Sequence, residues 1–132
     1  MPVNLAILGS TGSIGTQSLD VISRYPDRFR ISVLTAGDNV DLLAEQALRF
    51  NPDSVVIGNK KHYQDLKKKL NGTGIKVSSG EDAIEQVAAE SPADMVLIAI
   101  VGYSGLRPTI AAIRSGKKIA LANKETLVVG GA

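Results

Sequence analysis

Six short apolar segments alternate along the chain with segments of helical spacing, and this alternation restricts the fold more than any other feature. Helical spacing is clearest between the second and third apolar segments, where an i, i+3, i+4, i+7, i+8 pattern is formed by Val40, Leu43, Ala44, Ala47 and Leu48. Strands that alternate with helices predict an α/β fold: a doubly wound, mainly parallel sheet with helices on both faces. The predicted strands are residues 3–8, 30–36, 54–57, 75–77, 95–101 and 118–122.

Composition excludes several other classes of protein. The 132 residues are 44% hydrophobic with a net charge of +2, which argues against disorder. The longest apolar run, residues 95–101, is far shorter than the roughly 18 residues that a membrane helix needs. Two phenylalanines, three tyrosines and no tryptophan make a nucleic-acid stacking surface a poor interpretation. We find no signal or transit peptide, and the lack of cysteine fits the reducing cytoplasm.

A glycine-rich turn joins the first predicted strand to the first predicted helix. Residues 9–15 read GSTGSIG, which places glycines in a G-x-x-G-x-x-G pattern. In a Rossmann-like fold Gly9 allows the tight turn, Gly12 lets the backbone approach a pyrophosphate, and Gly15 lets helix and strand pack closely. The amides around residues 11–14 would face the phosphates at the helix N-terminus. A tight turn that binds nothing is the alternative interpretation.

Polar residues follow the second predicted strand, where a Rossmann fold meets the adenosine ribose of a dinucleotide. An acid such as Asp38 favours a ribose 2′-hydroxyl, whereas basic or small polar groups accept a 2′-phosphate. A turn or helix-capping carboxylate is the alternative for Asp38. Asn39 is predicted to cap the next helix. These residues by themselves leave the choice of cofactor open.

A third polar stretch, residues 121–128 (LANKETLV), follows the sixth predicted strand. Asn123, Lys124 and Glu125 would lie at the carboxyl edge of the sheet, where open α/β sheets bind ligands. A lysine there could hold an anionic or carbonyl oxygen, with a carboxylate nearby to orient it. A solvated ion pair at the start of a helix is the alternative. We predict a helix start here, and expect a domain cut from a longer protein because the chain stops soon afterwards.

Four motifs together carry a family resemblance: GSTGSIG at 9–15, AGDNV at 36–40, AIVG at 99–102 and LANKE at 121–125. In this order and spacing they resemble the 1-deoxy-D-xylulose 5-phosphate reductoisomerases. The resemblance covers essentially all 132 residues, but only the amino-terminal NADPH-binding domain of those enzymes. It therefore implies one Rossmann-like NADPH-binding domain over residues 1–132, with the catalytic, metal-binding and carboxy-terminal domains absent from this sequence.

The resemblance implies an enzyme of non-mevalonate isoprenoid biosynthesis. Such an enzyme rearranges the skeleton of a phosphosugar, 1-deoxy-D-xylulose 5-phosphate, and reduces the resulting aldehyde with hydride from NADPH. The product is 2-C-methyl-D-erythritol 4-phosphate. A divalent cation, Mg²⁺ or Mn²⁺, held by the absent part of the protein would polarise the substrate oxygens. The full-length protein would be a homodimer, and this chain alone would bind cofactor without turning over.

The resemblance also implies roles for individual residues, although it assigns no catalytic residue within this chain. Lys124 reaches the substrate. The implied cofactor-binding residues are Thr11, Gly12, Ser13 and Ile14 at the phosphates, Gly37, Asp38 and Asn39 at the adenosine end, and Asn123 and Glu125 elsewhere in the NADPH site.

The sequence departs from the family pattern at one position, and two other functions are alternatives to this interpretation. Several relatives carry a basic or small residue at the position of Asp38, so an acid should weaken attraction to a 2′-phosphate unless Lys60 or Lys61 compensates. Another NAD(P)-dependent oxidoreductase, related to aspartate-semialdehyde dehydrogenase or dihydrodipicolinate reductase, is an alternative that the Ala-Asn-Lys-Glu stretch disfavours. A non-catalytic nucleotide-sensing module is a second alternative, which the fold alone leaves open.

Overall fold

The computed structural model describes residues 2–100, 105–122 and 127–130, and they form one α/β layer structure. A 3₁₀ turn, Lys60–His62, precedes the third helix. The strands are β1 (Val3–Leu8), β2 (Phe29–Ala36), β3 (Ser54–Ile57), β4 (Lys76–Ser79), β5 (Met95–Ile98), β6 (Lys118–Ala122) and β7 (Leu127–Gly130). The helices are α1 (Ser13–Ser23), α2 (Val40–Phe50), α3 (Tyr63–Lys69), α4 (Glu81–Glu90) and α5 (Leu106–Arg114).

The strand order β4-β3-β2-β1-β5-β6-β7 confirms the predicted doubly wound sheet. From β1 the chain builds outward through β2, β3 and β4, then returns to place β5 on the other side of β1. All neighbouring strands from β4 to β6 are parallel, and β7 pairs antiparallel with β6. The reversal of direction beside β1 is the switch point at which sheets of this kind bind ligands.

Helices cover both faces of the sheet, and each face has its own core. Alternate side chains of β1 enter different cores, because successive residues of a strand point to opposite faces. Leu5 and Ile7 pack with α1, α2 and α3, whereas Ala6 and Leu8 pack with α4 and α5. Each large aliphatic side chain buried in this way contributes about 1.5–3 kcal/mol to folding.

The end of the described chain corrects one prediction. A helix start was expected after β6, but residues Leu127–Gly130 form β7 instead. Two valines in this segment favour a strand, and the open edge of β6 offers unpaired backbone groups as partners. The remaining element predictions differ mainly at their ends: β5 stops at Ile98 rather than at residue 101, and β4 spans Lys76–Ser79 rather than 75–77.

Helix α5 forms where its apolar spacing predicted a helix, yet its large apolar residues do not face the core. Leu106, Ile110 and Ile113 are exposed, while Pro108 and Ala112 are buried against the sheet and α4. Among the described residues, no helix is both long enough and apolar enough to cross a bilayer.

Candidate nucleotide-binding site

The carboxyl ends of β1, β2 and β5 meet at one edge of the sheet. Leu8, the last residue of β1, lies opposite Thr35 of β2 and Ile98 of β5. The glycine turn therefore leaves β1 directly beside the segment that follows β2. The switch point of the sheet, between β1 and β5, lies at this same edge. The fold therefore brings the first two polar motifs together where a ligand is expected.

Steric contacts explain two glycines of the turn. Gly9 has a φ of +85°, and a Cβ there would lie 2.8 Å from the Ile100 Cγ1 atom. A Cβ on Gly15 would overlap the Gly9 carbonyl oxygen and lie 2.8 Å from the Ser10 carbonyl carbon. The predicted tight turn and close strand-to-helix packing are therefore both confirmed.

Gly12, in contrast, faces open space at the start of α1. Among the described residues, a Cβ there would meet only the Gly9 carbonyl oxygen, at 3.9 Å. Gly12 occupies the N-cap position of α1 in an extended conformation, and no side chain caps this helix within the described residues. The first amides of a helix have no partners inside it and carry a partial positive charge, so the amides of Ser13 and Ile14 suit an anion.

Strand β2 and helix α2 hold the turn in place. The Ser10 amide donates to the Thr35 carbonyl oxygen at 2.8 Å, and the Gly9 amide donates to the Thr35 hydroxyl oxygen at 3.1 Å. The Ser10 side chain also hydrogen-bonds with Gln46 of α2, and both residues are buried. Sequence reasoning missed Gln46, although a glutamine between Leu43 and Ala47 on the apolar side of a helix was a usable signal.

The segment after β2 is exposed and loosely surrounded. Gly37, Asp38 and Asn39 are all exposed, and a Cβ on Gly37 would touch no atom of the described residues within 4 Å. The Asn39 side-chain oxygen accepts from the Leu42 amide at 3.1 Å, which confirms the predicted cap of α2. The helix-capping alternative for Asp38 is therefore wrong, because its neighbour takes that position.

Asp38 instead belongs to a contact between two loops. The Asn59 side-chain amide donates to Asp38 Oδ1 at 2.8 Å, and the Asn59 backbone amide donates to the Gly37 carbonyl oxygen at 2.9 Å. Asn59 follows β3, so the parallel register of β2 and β3 brings it beside Asp38. The contact fixes one carboxylate oxygen and leaves the charge in solvent.

The two lysines that follow Asn59 differ in their surroundings. Lys61 uses its backbone amide to donate to the Asn59 side-chain oxygen at 3.0 Å. The Lys60 side chain crosses Gly80, where a Cβ would lie 2.7 Å from Lys60 Cε. Lys60 therefore extends toward the start of α4, away from β1. Both lysines are exposed.

The third predicted motif lies largely outside the described residues. Asn123, Lys124 and Glu125 belong to the segment 123–126, which lies outside the described residues. Residues 101 and 102 of the AIVG motif also lie outside them. Their predicted roles stay predictions. Strand β6 runs parallel to β5, with Ile98 opposite Leu121, so it ends at the same edge as the glycine turn.

A well-formed ion pair lies at the opposite edge of the sheet. Arg30 donates to both carboxylate oxygens of Asp53, at 2.8 and 3.1 Å, and these hydrogen bonds lower the pKa of Asp53. The pair joins the beginnings of β2 and β3 and has no contact with the glycine turn. Within the described ranges, no three acidic or histidine side chains are grouped so that they could hold a metal ion.

The doubly wound sheet and its glycine turn at the switch point define a Rossmann-like α/β domain. A family model for 1-deoxy-D-xylulose 5-phosphate reductoisomerase matches residues 5–131. The chain therefore belongs to the 1-deoxy-D-xylulose 5-phosphate reductoisomerase family. This membership decides against the alternative relationship to aspartate-semialdehyde dehydrogenase or dihydrodipicolinate reductase.

Individual relatives agree with the family model. The chain is 56% identical over 131 residues to the reductoisomerase of Phocaeicola vulgatus, and 57% identical over 127 residues to that of Bacteroides thetaiotaomicron. These alignments cover 99% and 96% of this chain but 34% and 33% of the relatives. The chain thus spans about a third of the length of these relatives.

Solved structures of the same family share the fold. The Zymomonas mobilis reductoisomerase in complex with NADPH superposes with a TM-score of 0.87 at 45% identity, over 95% of this chain and 33% of that one. A reductoisomerase in complex with NADPH, fosmidomycin and magnesium has a TM-score of 0.85 at 40% identity, over 93% of this chain and 30% of that one.

Proposed function

We propose that this chain is the NADPH-binding domain of a 1-deoxy-D-xylulose 5-phosphate reductoisomerase, formed by residues 1–132. The observation that carries the proposal is the glycine turn. Gly9 and Gly15 are required by close contacts, whereas Gly12 and the uncapped start of α1 are open to a ligand. NADPH is the ligand that two solved relatives contain, and its pyrophosphate fits such a helix start.

The proposed binding residues follow the edge of the sheet. Phosphates would contact the turn at Thr11, Gly12, Ser13 and Ile14, and the adenosine end would lie over Gly37, Asp38 and Asn39. We propose that Asn123 and Glu125 complete the NADPH site and that Lys124 contacts the substrate. The short distance between the turn and the segment after β2 supports this arrangement, because one extended dinucleotide would lie across both.

The reaction proposed for the full-length protein is the conversion of 1-deoxy-D-xylulose 5-phosphate to 2-C-methyl-D-erythritol 4-phosphate, in isoprenoid biosynthesis. Bound NADPH would supply the hydride. The magnesium in solved relatives supports a need for Mg²⁺ or Mn²⁺, which we place in parts of the protein outside this sequence. We further propose a cytoplasmic homodimer that acts on this phosphosugar and binds neither nucleic acid nor a membrane.

A titration of this chain with NADPH and, separately, with NADH tests the proposal. The reduced nicotinamide ring is fluorescent in both NADPH and NADH, so the same fluorescence signal measures the binding of each cofactor. We expect saturable binding with a preference for NADPH. Binding of neither cofactor would reject the proposed NADPH site, whereas a preference for NADH would retain the site and reject the choice of cofactor.

The proposed reaction requires a separate assay. A full-length protein that contains this sequence should oxidise NADPH only when 1-deoxy-D-xylulose 5-phosphate and a divalent cation are both present. Saturable NADPH binding without substrate-dependent oxidation would instead support a nucleotide-sensing module.

A further inference from the structure

Gln46 is a polar side chain in an otherwise apolar position of α2. Its exposed fraction is 7%, and that of its partner Ser10 is 0%. Leu43, one turn before Gln46, and Ala47, the next residue, both belong to the core between the sheet and helices α1, α2 and α3. A buried amide needs hydrogen-bond partners, so the contacts that Gln46 makes determine what it does.

Within the part of the chain that the structure describes, Gln46 makes two side-chain hydrogen bonds, and both join it to Ser10. The Ser10 hydroxyl donates to Gln46 Oε1 at 2.6 Å, and Gln46 Nε2 donates to the Ser10 carbonyl oxygen at 2.9 Å. The Ser10 amide donates to the Thr35 carbonyl oxygen at 2.8 Å. Every polar group of Ser10 is therefore bound by β2 or α2. Ser10, the second residue of the glycine turn, is thus fixed by hydrogen bonds to the core side of the turn.

The bond to the Ser10 carbonyl oxygen has a consequence for Thr11. The two residues share one peptide group, and in a trans peptide the carbonyl and the N–H point in opposite directions; the described backbone contains no cis peptide. When Gln46 draws the Ser10 carbonyl toward the core, the Thr11 N–H is turned away from the core. Thr11 is the first of the proposed phosphate-binding residues.

We propose that Gln46 is a positioning residue that orients the Ser10–Thr11 peptide group for the phosphates of NADPH. The inference rests on the proposed NADPH site. It does not require Gln46 to touch the cofactor. Gln46 acts through the orientation of one peptide group, so its replacement should change the turn locally and leave the rest of the sheet intact.

The test compares Gln46→Met with the unmodified chain. Methionine fills a similar volume but cannot donate to the Ser10 carbonyl. We expect NADPH to bind about tenfold more weakly, which corresponds to ~1.4 kcal/mol. Ser10→Ala should weaken binding less, because it retains the bond to the carbonyl oxygen. Gln64→Met on the exposed side of α3 is the matched control, with an unchanged dissociation constant.

Amide hydrogen exchange separates positioning from general destabilisation. In Gln46→Met the hydrogen-bonded amides that anchor the two ends of the turn, Ser10 (to the Thr35 carbonyl) and Thr16 (to the Gly12 carbonyl), should exchange faster, while the amides of β1 and β2 keep their protection. An unchanged NADPH affinity would overturn the inference, and so would faster exchange across β1, β2 and the turn alike. If the unmodified chain does not bind NADPH, the proposed function fails, and the exchange of the turn still decides whether Gln46 orients it.

Discussion

The glycine turn and the segment after β2 lie side by side at one edge of the sheet, but they are built in opposite ways. In the turn, an added Cβ on Gly9 or Gly15 would collide with neighbouring atoms, and Ser10 is fully buried and bound on every side. After β2, no described residue lies within 4 Å of a Cβ added to Gly37, and the Asp38 carboxylate accepts a hydrogen bond from the Asn59 side chain.

This difference indicates that the two regions have different roles in binding a dinucleotide. Close packing fixes the shape of the turn at Gly9, Ser10 and Gly15, so changes at these positions should alter both the fold and the binding of every dinucleotide. The exposed segment can change its side chains at little cost to stability. We therefore expect the turn to determine that a dinucleotide binds and the segment after β2 to determine which one.

The largest effect is expected for Gly15→Ala. Alanine in place of glycine normally stabilises a helix by up to about 1 kcal/mol, but here the methyl group would overlap the Gly9 carbonyl. We expect a loss of about 1–3 kcal/mol, the usual cost of overpacking, and a loss of most NADPH binding. Thermal unfolding and an NADPH titration measure the two effects.

Gly37→Ala is the matched control for stability, because it adds the same methyl group in open space. Its free energy of unfolding should stay the same or rise slightly, since alanine restricts the unfolded chain. Equal losses in Gly15→Ala and Gly37→Ala would contradict the proposed difference between the two regions.

A smaller and more selective effect is expected for Gly12→Ala. The backbone there already has a conformation open to alanine, and the new methyl group would point into the space proposed for the pyrophosphate. We expect NADPH and NADH both to bind about tenfold more weakly, while the free energy of unfolding falls by less than about 1 kcal/mol. Unchanged binding of both cofactors would place the phosphates elsewhere.

Much of this framework was predictable from the sequence because burial restricts residue type. Parallel strands covered on both faces must be mostly apolar, so β1, β3 and β5 were visible as largely apolar runs. The glycines at 9 and 15 were predictable for a similar reason, since only glycine satisfies the tight turn and the close packing. The cap at Asn39 followed from its side chain and its position before an amphipathic helix.

Contacts between distant segments could not be read in the same way. Strand β7 depends on the free edge of β6, which local spacing does not reveal. Asn59 reaches Asp38 because β2 and β3 pair in register, and Gln46 reaches Ser10 because α2 packs beneath the turn. The apolar spacing of α5 predicted its helix correctly but did not reveal that Leu106 faces outward.

Asp38→Asn tests the exposed segment directly. Asparagine keeps an oxygen to accept from Asn59 and removes the negative charge. We expect NADPH to bind about threefold to tenfold more tightly, because a 2′-phosphate is no longer repelled at short range, and NADH to bind no more tightly, because an acid favours its ribose 2′-hydroxyl. Asp27→Asn, an exposed change at the opposite edge of the sheet, controls for net charge. Equal gains for both cofactors would show that Asp38 does not select between them.

The smallest effect is expected for Lys60→Ala and Lys61→Ala. If either ammonium group offsets Asp38, its removal should weaken NADPH about threefold, leave NADH unchanged and matter less at high salt, because both lysines are exposed to screening ions. The course of Lys60 across Gly80 favours Lys61 as the larger contributor. Lys68→Ala on α3 controls for the loss of one positive charge. If neither variant changes the ratio of the two affinities, the segment after β2 selects its cofactor without help from the lysines that follow β3.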